Sequence, residues 1–411
     1  MIKKNIIGLI IVTLLLLTAC GAGGSKGASS SEKSQGVSDK EIIVGQIGAQ
    51  SGAYGVYDAV RQGLQSYFNY VNEEGGVNGR KIKLIAYDDK FEAKTTVQNA
   101  KRLEENDKVF ALVGNVGTIQ TMAIVPYLEQ RNLPLIGLTS GSKVLFNPPN
   151  PNIFGNVVNY TVEIDILVDY LIKEKGVKKI FVSYLNNDAG KETLDGIARA
   201  LERYPDVKVV GEGPHLPTDT DFTAIAQKVK ESNPDVVVMG SGPSTTANLK
   251  KELHKIGLQD VLYAASSTGG DDPNLFKLVG EDVWSGTIST TSIPSPEVSK
   301  DPEMKDFVDQ YKKDFPKSST SGFAMWGWAM GQIFVEAVKR SGEELTRENL
   351  KKQLETLDNW EGSLYPAITY TPDSHYGNTT IYITEAKDGA IVPVTKPITY
   401  DVKEKTIKYS E

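Results

Sequence analysis

The chain has 411 residues, 40% of them hydrophobic, and carries 45 Lys and Arg against 52 Asp and Glu for a formal net charge of −7. That acidic balance argues against a nucleic-acid binder, which asks for clustered basic surface, and the length argues for two domains rather than one. A single cysteine leaves no partner for an internal disulfide.

The first residues read as an export signal. Lys3 and Lys4 form a short basic region, and residues 6–17 form an apolar one interrupted only by Gly8 and Thr13. This stretch is shorter than the ~20 apolar residues that span a bilayer comfortably. An ordinary secretory signal ends in an A-x-A-like site, but here Leu17-Thr18-Ala19 runs directly into Cys20. The pattern resembles the lipobox of bacterial lipoproteins. That resemblance implies that residues 1–19 are cut away, that Cys20 is acylated, and that the lipid anchors the protein to the membrane, facing outward. Residues 20–40, rich in Gly, Ser and Ala, then form a flexible tether.

Beyond the tether, short apolar runs alternate with helical patterns. Residues 42–44 predict a strand, 56–72 a helix, 81–87 a strand, 93–106 a helix, 109–114 a buried strand, 118–131 a helix and 135–138 a strand. The series then restarts, with helices over 163–175, 190–203, 222–232 and 244–256 and strands at 179–185, 208–213, 236–240 and 262–264. Strands separated by helices of roughly 10–15 residues predict βαβ units and parallel sheets, and two such series predict two α/β lobes. Turn chemistry agrees: Gly75 or Gly76 suits a helix end, Asn78-Gly79 a tight turn, and Pro302 the start of an acidic helix reaching Asp314. The last quarter differs. Helices over 323–340 and 347–357 precede strands at 367–370, 381–383 and 391–394, with Lys387-Asp388-Gly389 as a hairpin turn. The four tryptophans are read as packing.

No catalytic pattern emerges. His215, His254 and His375 are far apart, lack H-x-x-x-H spacing, and read as surface or loop residues. There is no G-x-S-x-G elbow and no G-x-x-x-x-G-K-[ST] loop. Asp88-Asp89 and Asp271-Asp272 read as helix caps or solvent-facing pairs. The expectation is a binding protein with no cofactor and no metal. Glycine and hydroxyl residues instead recur just after strands, at 48–52, 114–118 and 139–142, and again at 186–190, 240–244 and 266–270. Ligands of open α/β sheets lie beyond the carboxyl ends of the strands, and hydroxyls with N–H groups at a helix start suit a carboxylate. Three loops from each lobe would face one another across a cleft.

Ile43-Val44-Gly45, Ser51-Gly52, the stretch Asn72-Glu73-Glu74-Gly75-Gly76-Val77-Asn78-Gly79-Arg80-Lys81-Ile82-Lys83-Leu84, and Asp88-Asp89 resemble the periplasmic binding proteins of branched-chain amino acid ABC transporters. This is the leucine/isoleucine/valine type, and the similarity runs from about Glu41 to at least Arg340. The resemblance implies two Rossmann-like lobes joined by three crossovers, hinge closure on a small ligand and delivery to a membrane permease. Lobe one is expected to comprise 41–158 and 290–360, and lobe two 159–289 and 361–411, in a monomer.

The family's ligand contacts carry over position by position. A first-loop tyrosine corresponds to Tyr57 or Tyr54. The hydroxyl that holds the ligand carboxylate corresponds to Thr118, next to Gly117, and the pair after the fourth strand falls among Thr139, Ser140 and Gly141. The second lobe departs from the pattern. Ala189, after Asp188, stands where the family has a tyrosine, the neighbourhood of Gly242 where it has another, and Ser267 where it has the acid that meets the ligand ammonium. A buried ammonium without a counter-charge is costly. Either Asp188, Asp271 or another acid takes that role, or the ligand has no amine. A hydrophobic amino acid is the first expectation; the alternatives are an aromatic or aliphatic carboxylic acid, or a sensor feeding a signalling partner.

Overall fold

The computed structural model describes residues 34–410, so the export signal, Cys20 and most of the tether lie outside the described residues. Two sheets organise the chain. The first contains β1 (Glu41–Gly48), β2 (Lys81–Asp88), β3 (Ala111–Val113), β4 (Leu135–Leu138) and β5 (Ile153–Gly155), ordered β2-β1-β3-β4-β5 and parallel throughout. Its crossovers include α1 (Asp58–Glu73), α2 (Ala93–Glu105) and α3 (Thr118–Arg131). Strands β3 and β4 are buried at every position, as helices on both faces of a parallel sheet require. At the edge, β2 exposes Lys81 and Lys83, charges that discourage pairing with another chain.

The chain then enters the second lobe. Its first element is α4 (Tyr160–Lys175), capped by Asn159, whose Oδ1 accepts the Val162 N–H at 3.1 Å. There follow β6 (Lys179–Leu185), α5 (Asp188–Leu201), β7 (Lys208–His215), α6 (Thr223–Ser232), β8 (Val236–Gly240), α7 (Pro243–Lys255), β9 (Leu262–Ala265), the short helices α8 (Ser267–Gly270), α9 (Asn274–Val279) and α10 (Glu281–Trp284), and β10 (Ile288–Thr291). Helices α11 (Pro302–Asp314), α12 (Gly322–Ser341) and α13 (Arg347–Leu354) return to the first lobe. Strands β11 (Thr380–Lys387), β12 (Ala390–Pro393), β13 (Ile398–Asp401) and β14 (Thr406–Tyr409) complete the second sheet, ordered β14-β13-β11-β10-β9-β8-β6-β7 with β12 beside β11.

Most predicted elements stand where the sequence puts them, and the differences have physical causes. The second sheet is mixed rather than parallel: β6 to β10 are parallel, but β11 runs antiparallel to β10 and the strands beyond it are antiparallel too. Short turns can join strands only in that sense. Between β11 and β12, Asp388 (φ 54°) and Gly389 (φ 77°) form the expected turn with the left-handed geometry that hairpins prefer. The strand expected at 367–370 is only an isolated bridge between Trp360 and Ile368. Residues Leu364, Tyr365, Ile368 and Tyr370 pack in the first lobe's core, and Gly155 pairs with Tyr376. The third passage between lobes therefore lies between Gly377 and Thr380, later than the expected 360/361, and the second follows Thr291 rather than preceding 290.

Helix α12 is buried along almost its whole length and is the centre of the first core. Trp328 meets Tyr67 edge-on at 4.9 Å and Phe307 at 5.5 Å, a packing role as expected. His215 and His375 are not surface residues. They are 3% and 1% exposed, His215 against Ser241 and His375 between the carbonyls of Asn150 and Ile153; His254 is exposed. Of the acidic pairs, Asp89, Asp271 and Asp272 are buried rather than facing solvent. Asp89 shapes the turn before α2 by accepting the Phe91 N–H and the Thr96 hydroxyl.

Candidate functional site

The carboxyl ends of the two sheets face one another and enclose a cavity of about 390 Å³. That volume falls in the ~300–1,000 Å³ range of sites that take a whole small molecule. The first-lobe wall begins at β3. Gly117 has φ 104°, and a Cβ there would lie 2.3 Å from the Gln120 side chain, so only glycine lets the chain turn from β3 into α3. Thr118 is the first residue of that helix. Its hydroxyl is 2.8 Å from the Ser140 hydroxyl, which orients it. Thr139, at the end of β4, also borders the cavity, and its Oγ1 is buried without a hydrogen-bond partner. The first N–H groups of α3 have no intrahelical acceptor, and the helix dipole adds positive potential there. Two hydroxyls and a helix start converge where an anionic oxygen would be held.

The aromatic part of the wall comes from the turns after β1 and β2. Tyr54 stacks on Phe91 with centroids 4.3 Å apart and on Tyr57 at 5.9 Å, and Phe323 meets Tyr57 edge-on at 4.9 Å. Lys90 and Phe91 both hold positive φ, 52° and 63°, a conformation that non-glycine residues keep only where surroundings enforce it. Burial pushes the Tyr54 phenol up to about 12 and Tyr57 well above its ordinary value, so both are neutral hydrogen-bonding groups and not bases.

In the second lobe, Ala189 and Gly242 border the cavity. A Cβ on Gly242 would lie 3.0 Å from Tyr54 and 3.2 Å from the Tyr57 hydroxyl, so the small residue admits rings from the opposite wall. Asp188 and Ser267 do not border it. The Asp188 side chain is 72% exposed and 3.8 Å from Lys191; it stands at the start of α5, where an acid suits the helix dipole. Ser267 is buried and donates its backbone N–H to Glu163 Oε1 at 2.6 Å. Ser140 and Gly141 sit behind the wall, Gly141 accepting the Tyr160 N–H at 3.1 Å.

Tyr160, Glu163, Ile164 and Phe91 border the cavity and were missed from sequence. Helix α4 starts at Tyr160 rather than the expected 163, and that extra turn aims its beginning at the cleft. Glu163 is 1% exposed. Its Oε1 accepts from Ser267 N–H and the Thr290 hydroxyl, while Oε2 has no partner. Burial pushes its carboxyl up, an effect only partly offset by the Thr290 and Ser267 hydrogen bonds. The available signal was weak: Glu163 stands amid Val162, Ile164, Ile166 and Leu167, but Asp165 and Asp169 share the same buried helix, so an acid there did not stand out.

The two lobes touch at both sides of the cleft. Tyr54 donates its hydroxyl to the Pro217 carbonyl at 2.8 Å, and Ser244 donates to the Ala53 carbonyl at 2.9 Å. On the other side the Lys143 N–H donates to Glu192 at 3.0 Å, and the Lys143 ammonium pairs with Asp195 at 2.5 Å.

Comparison with known proteins agrees with this architecture. A model of the periplasmic binding protein family matches residues 41–390. The Leu/Ile/Val-binding protein homolog 3 of Brucella melitensis is 23% identical over 354 residues, covering 86% of this chain and 93% of the relative. The Leu/Ile/Val-binding protein BraC3 of Rhizobium johnstonii is 24% identical, covering 74% and 80%. Among solved structures, a fatty acid ABC transporter substrate-binding protein from Thermomonospora curvata has a TM-score of 0.81 at 22% identity, over 91% of this chain and 96% of that one. The isoleucine complex of LivJ from Streptococcus pneumoniae has a TM-score of 0.75 at 20% identity, over 86% and 98%. With its two α/β lobes and a family match over most of its length, the chain belongs to the periplasmic binding proteins, a family that binds solutes and is not enzymatic.

Proposed function

We propose that this protein is the extracytoplasmic solute receptor of an ABC importer, taking a small amphipathic carboxylate between its lobes and delivering it to a membrane permease. The observation that carries this reading is the pairing of Thr118 and Thr139 at the α3 start with an aromatic wall around one cavity. The first lobe takes the carboxylate, the apolar side chain lies against Tyr54 and Phe91, and hinge closure completes the cage and excludes water. A lipid on Cys20 would hold the receptor at the membrane while the tether leaves its lobes free to hinge. Among the described residues, no helix is long and apolar enough to cross a membrane.

A hydrophobic amino acid is the first choice of ligand, in line with the names of the curated relatives. The second reading is an aromatic or aliphatic carboxylic acid. It draws on Ser267, which stands where the resemblance implies an acid and does not border the cavity, and on a cavity of about 390 Å³ that takes a whole small molecule. The test is a thermal-shift screen of the mature body against amino acids and aromatic or short-chain carboxylates, since a ligand that binds only the native state raises the midpoint. The Thr118→Ala variant is expected to lose the shift; an undiminished shift would remove Thr118 from the site.

A further inference from the structure

The acidic pair Asp88-Asp89 at the end of β2 builds the turn that carries Phe91 to the cavity. Lys90 and Phe91 are consecutive residues with positive φ, 52° and 63°, and neither is of a type that enters this region at low cost. Each is held by a carboxylate two positions back. The Lys90 N–H donates to Asp88 Oδ1 at 2.8 Å and the Phe91 N–H to Asp89 Oδ1 at 2.9 Å. The other oxygen of Asp89 accepts the Thr96 hydroxyl at 2.8 Å, and the Gln120 amide donates to the Phe91 carbonyl at 2.6 Å. Groups from β2, α2 and α3 thus hold one strained turn, and the ring it carries has a defined place. Phe91 borders the cavity, stacks on Tyr54 at 4.3 Å and lies tilted to Tyr57 at 5.7 Å. On another side it meets Gly117, where a Cβ would lie 3.0 Å from Phe91 Cε2. Gly117 leads directly into the α3 start, whose unbonded N–H groups suit an anionic oxygen. The ring therefore fills space beside the carboxylate end of the cavity. Packed against Tyr54 and Gly117, and tied at both its N–H and its carbonyl, it has little freedom to withdraw.

We propose that Phe91 is a specificity-determining residue that limits the ligand to one carbon substituent on the atom next to its carboxylate, and that Asp89 is the positioning residue that holds the ring there. This rests on the carboxylate-receptor reading above and adds a shape to the ligand, with or without an amine. Asp89 is 0% exposed and does not border the cavity, so its influence on a ligand passes through the turn. A second carbon branch beside the carboxylate would enter space that a fixed ring already fills, and overpacking of that kind is unfavourable. With the ring removed, the same branch meets an apolar hollow, and such hollows accept apolar guests. Strain belongs at such a place: a residue kept in a sparsely populated conformation persists only where its surroundings over-determine it, and here they fix a wall against which a ligand is measured.

The test uses the mature protein and calorimetric titration with two matched pairs: leucine and α-methylleucine, and 4-methylpentanoate and 2,4-dimethylpentanoate. In whichever pair binds, the added methyl should weaken binding on the order of 10-fold in the intact protein. Phe91→Ala should abolish most of that penalty while still binding the unbranched parent, which reports a folded site; Phe91→Leu gives a second reading of the same ratio with an apolar side chain kept in place. Asp89→Ala should lower the penalty in the same direction, and Asp89→Asn, which keeps an acceptor for the Phe91 N–H, should restore it. A merely structural role for Asp89 would lower the melting midpoint and leave the ratio unmoved. An intact protein that takes the α-methyl analogues as well as their parents would overturn the inference and leave the carboxylate reading standing, and so would a penalty unchanged in the Phe91 variants. Binding of neither parent would remove both.

Discussion

The two walls of the cleft were built differently, and they were unequally visible. In the first lobe, Gly117, Thr118 and Thr139 sit directly after β3 and β4, in the loops where an open α/β sheet places its ligands. Tyr54 and Tyr57 follow β1 in the same way. In the second lobe the corresponding loops contribute small groups, Ala189 and Gly242, and the buried acid at the cavity comes from somewhere else. Glu163 lies in the first turn of α4, just after the chain crosses between lobes. The lesson is that strand-end loops advertise a site by position, whereas a helix entering from a crossover can carry one without any local sign.

Three experiments test how far this asymmetry extends. The largest effect should come from the core. The first lobe is held together by α12, which arrives from far along the chain, while the second core is assembled largely from consecutive βα units. Trp328→Ala should cost about 4 kcal/mol, the range for deleting a large buried ring. Hydrogen exchange should quicken in β1 to β4 while β6 to β8 stay protected. Uniform acceleration in both sheets would show that the lobes unfold as one unit.

A pH series comes next and concerns the second wall. Burial raises the Glu163 carboxyl above its ordinary range, and an amino-acid ligand whose ammonium met it would require the ionised form. Below that raised pKa such binding releases a proton. Amino-acid affinity is complete above the raised pKa and falls up to tenfold per pH unit below it. The groups facing Glu163 are Tyr160 and Asp271, both also raised by burial, so neither supplies a competing positive charge. Titration of one amino acid from the ordinary carboxyl range of about pH 4 upward, in buffers of different ionisation enthalpy, reads the released proton directly, and the Glu163→Gln variant should show a flat profile.

The smallest effect belongs to the contact between walls. Tyr54→Phe removes the hydrogen bond to the Pro217 carbonyl and leaves the ring stacked on Phe91. A net loss of about 1 kcal/mol corresponds to roughly fivefold weaker binding, expected mainly as faster ligand release in stopped-flow measurements. A change confined to the association rate would mean that Tyr54 guides entry and not closure.

Much of this molecule could be read from residues alone. Alternating strands and helices gave the α/β class and two series of βα units, because hydrophobic period depends on local geometry. The α3 helix and β4 appear with their expected bounds because a glycine, a threonine and an apolar run mark each end. The mixed edge of the second sheet, the late third passage, which leaves Tyr365 and Tyr370 in the first lobe's core, and β5 were not legible. Each depends on which distant segment a short stretch meets, and a three-residue strand has too little pattern to announce itself. Glu163 is the clearest case. The sequence led to the expectation that the first lobe offers hydroxyls to an anion, and the resemblance placed Ser267 where an acid would stand. Only the tertiary structure decided that a buried carboxyl stands at the cavity, because burial and an unmatched lone pair are properties of what surrounds a residue, and the chain brings Ser267 and Thr290 to Glu163 from more than a hundred residues away.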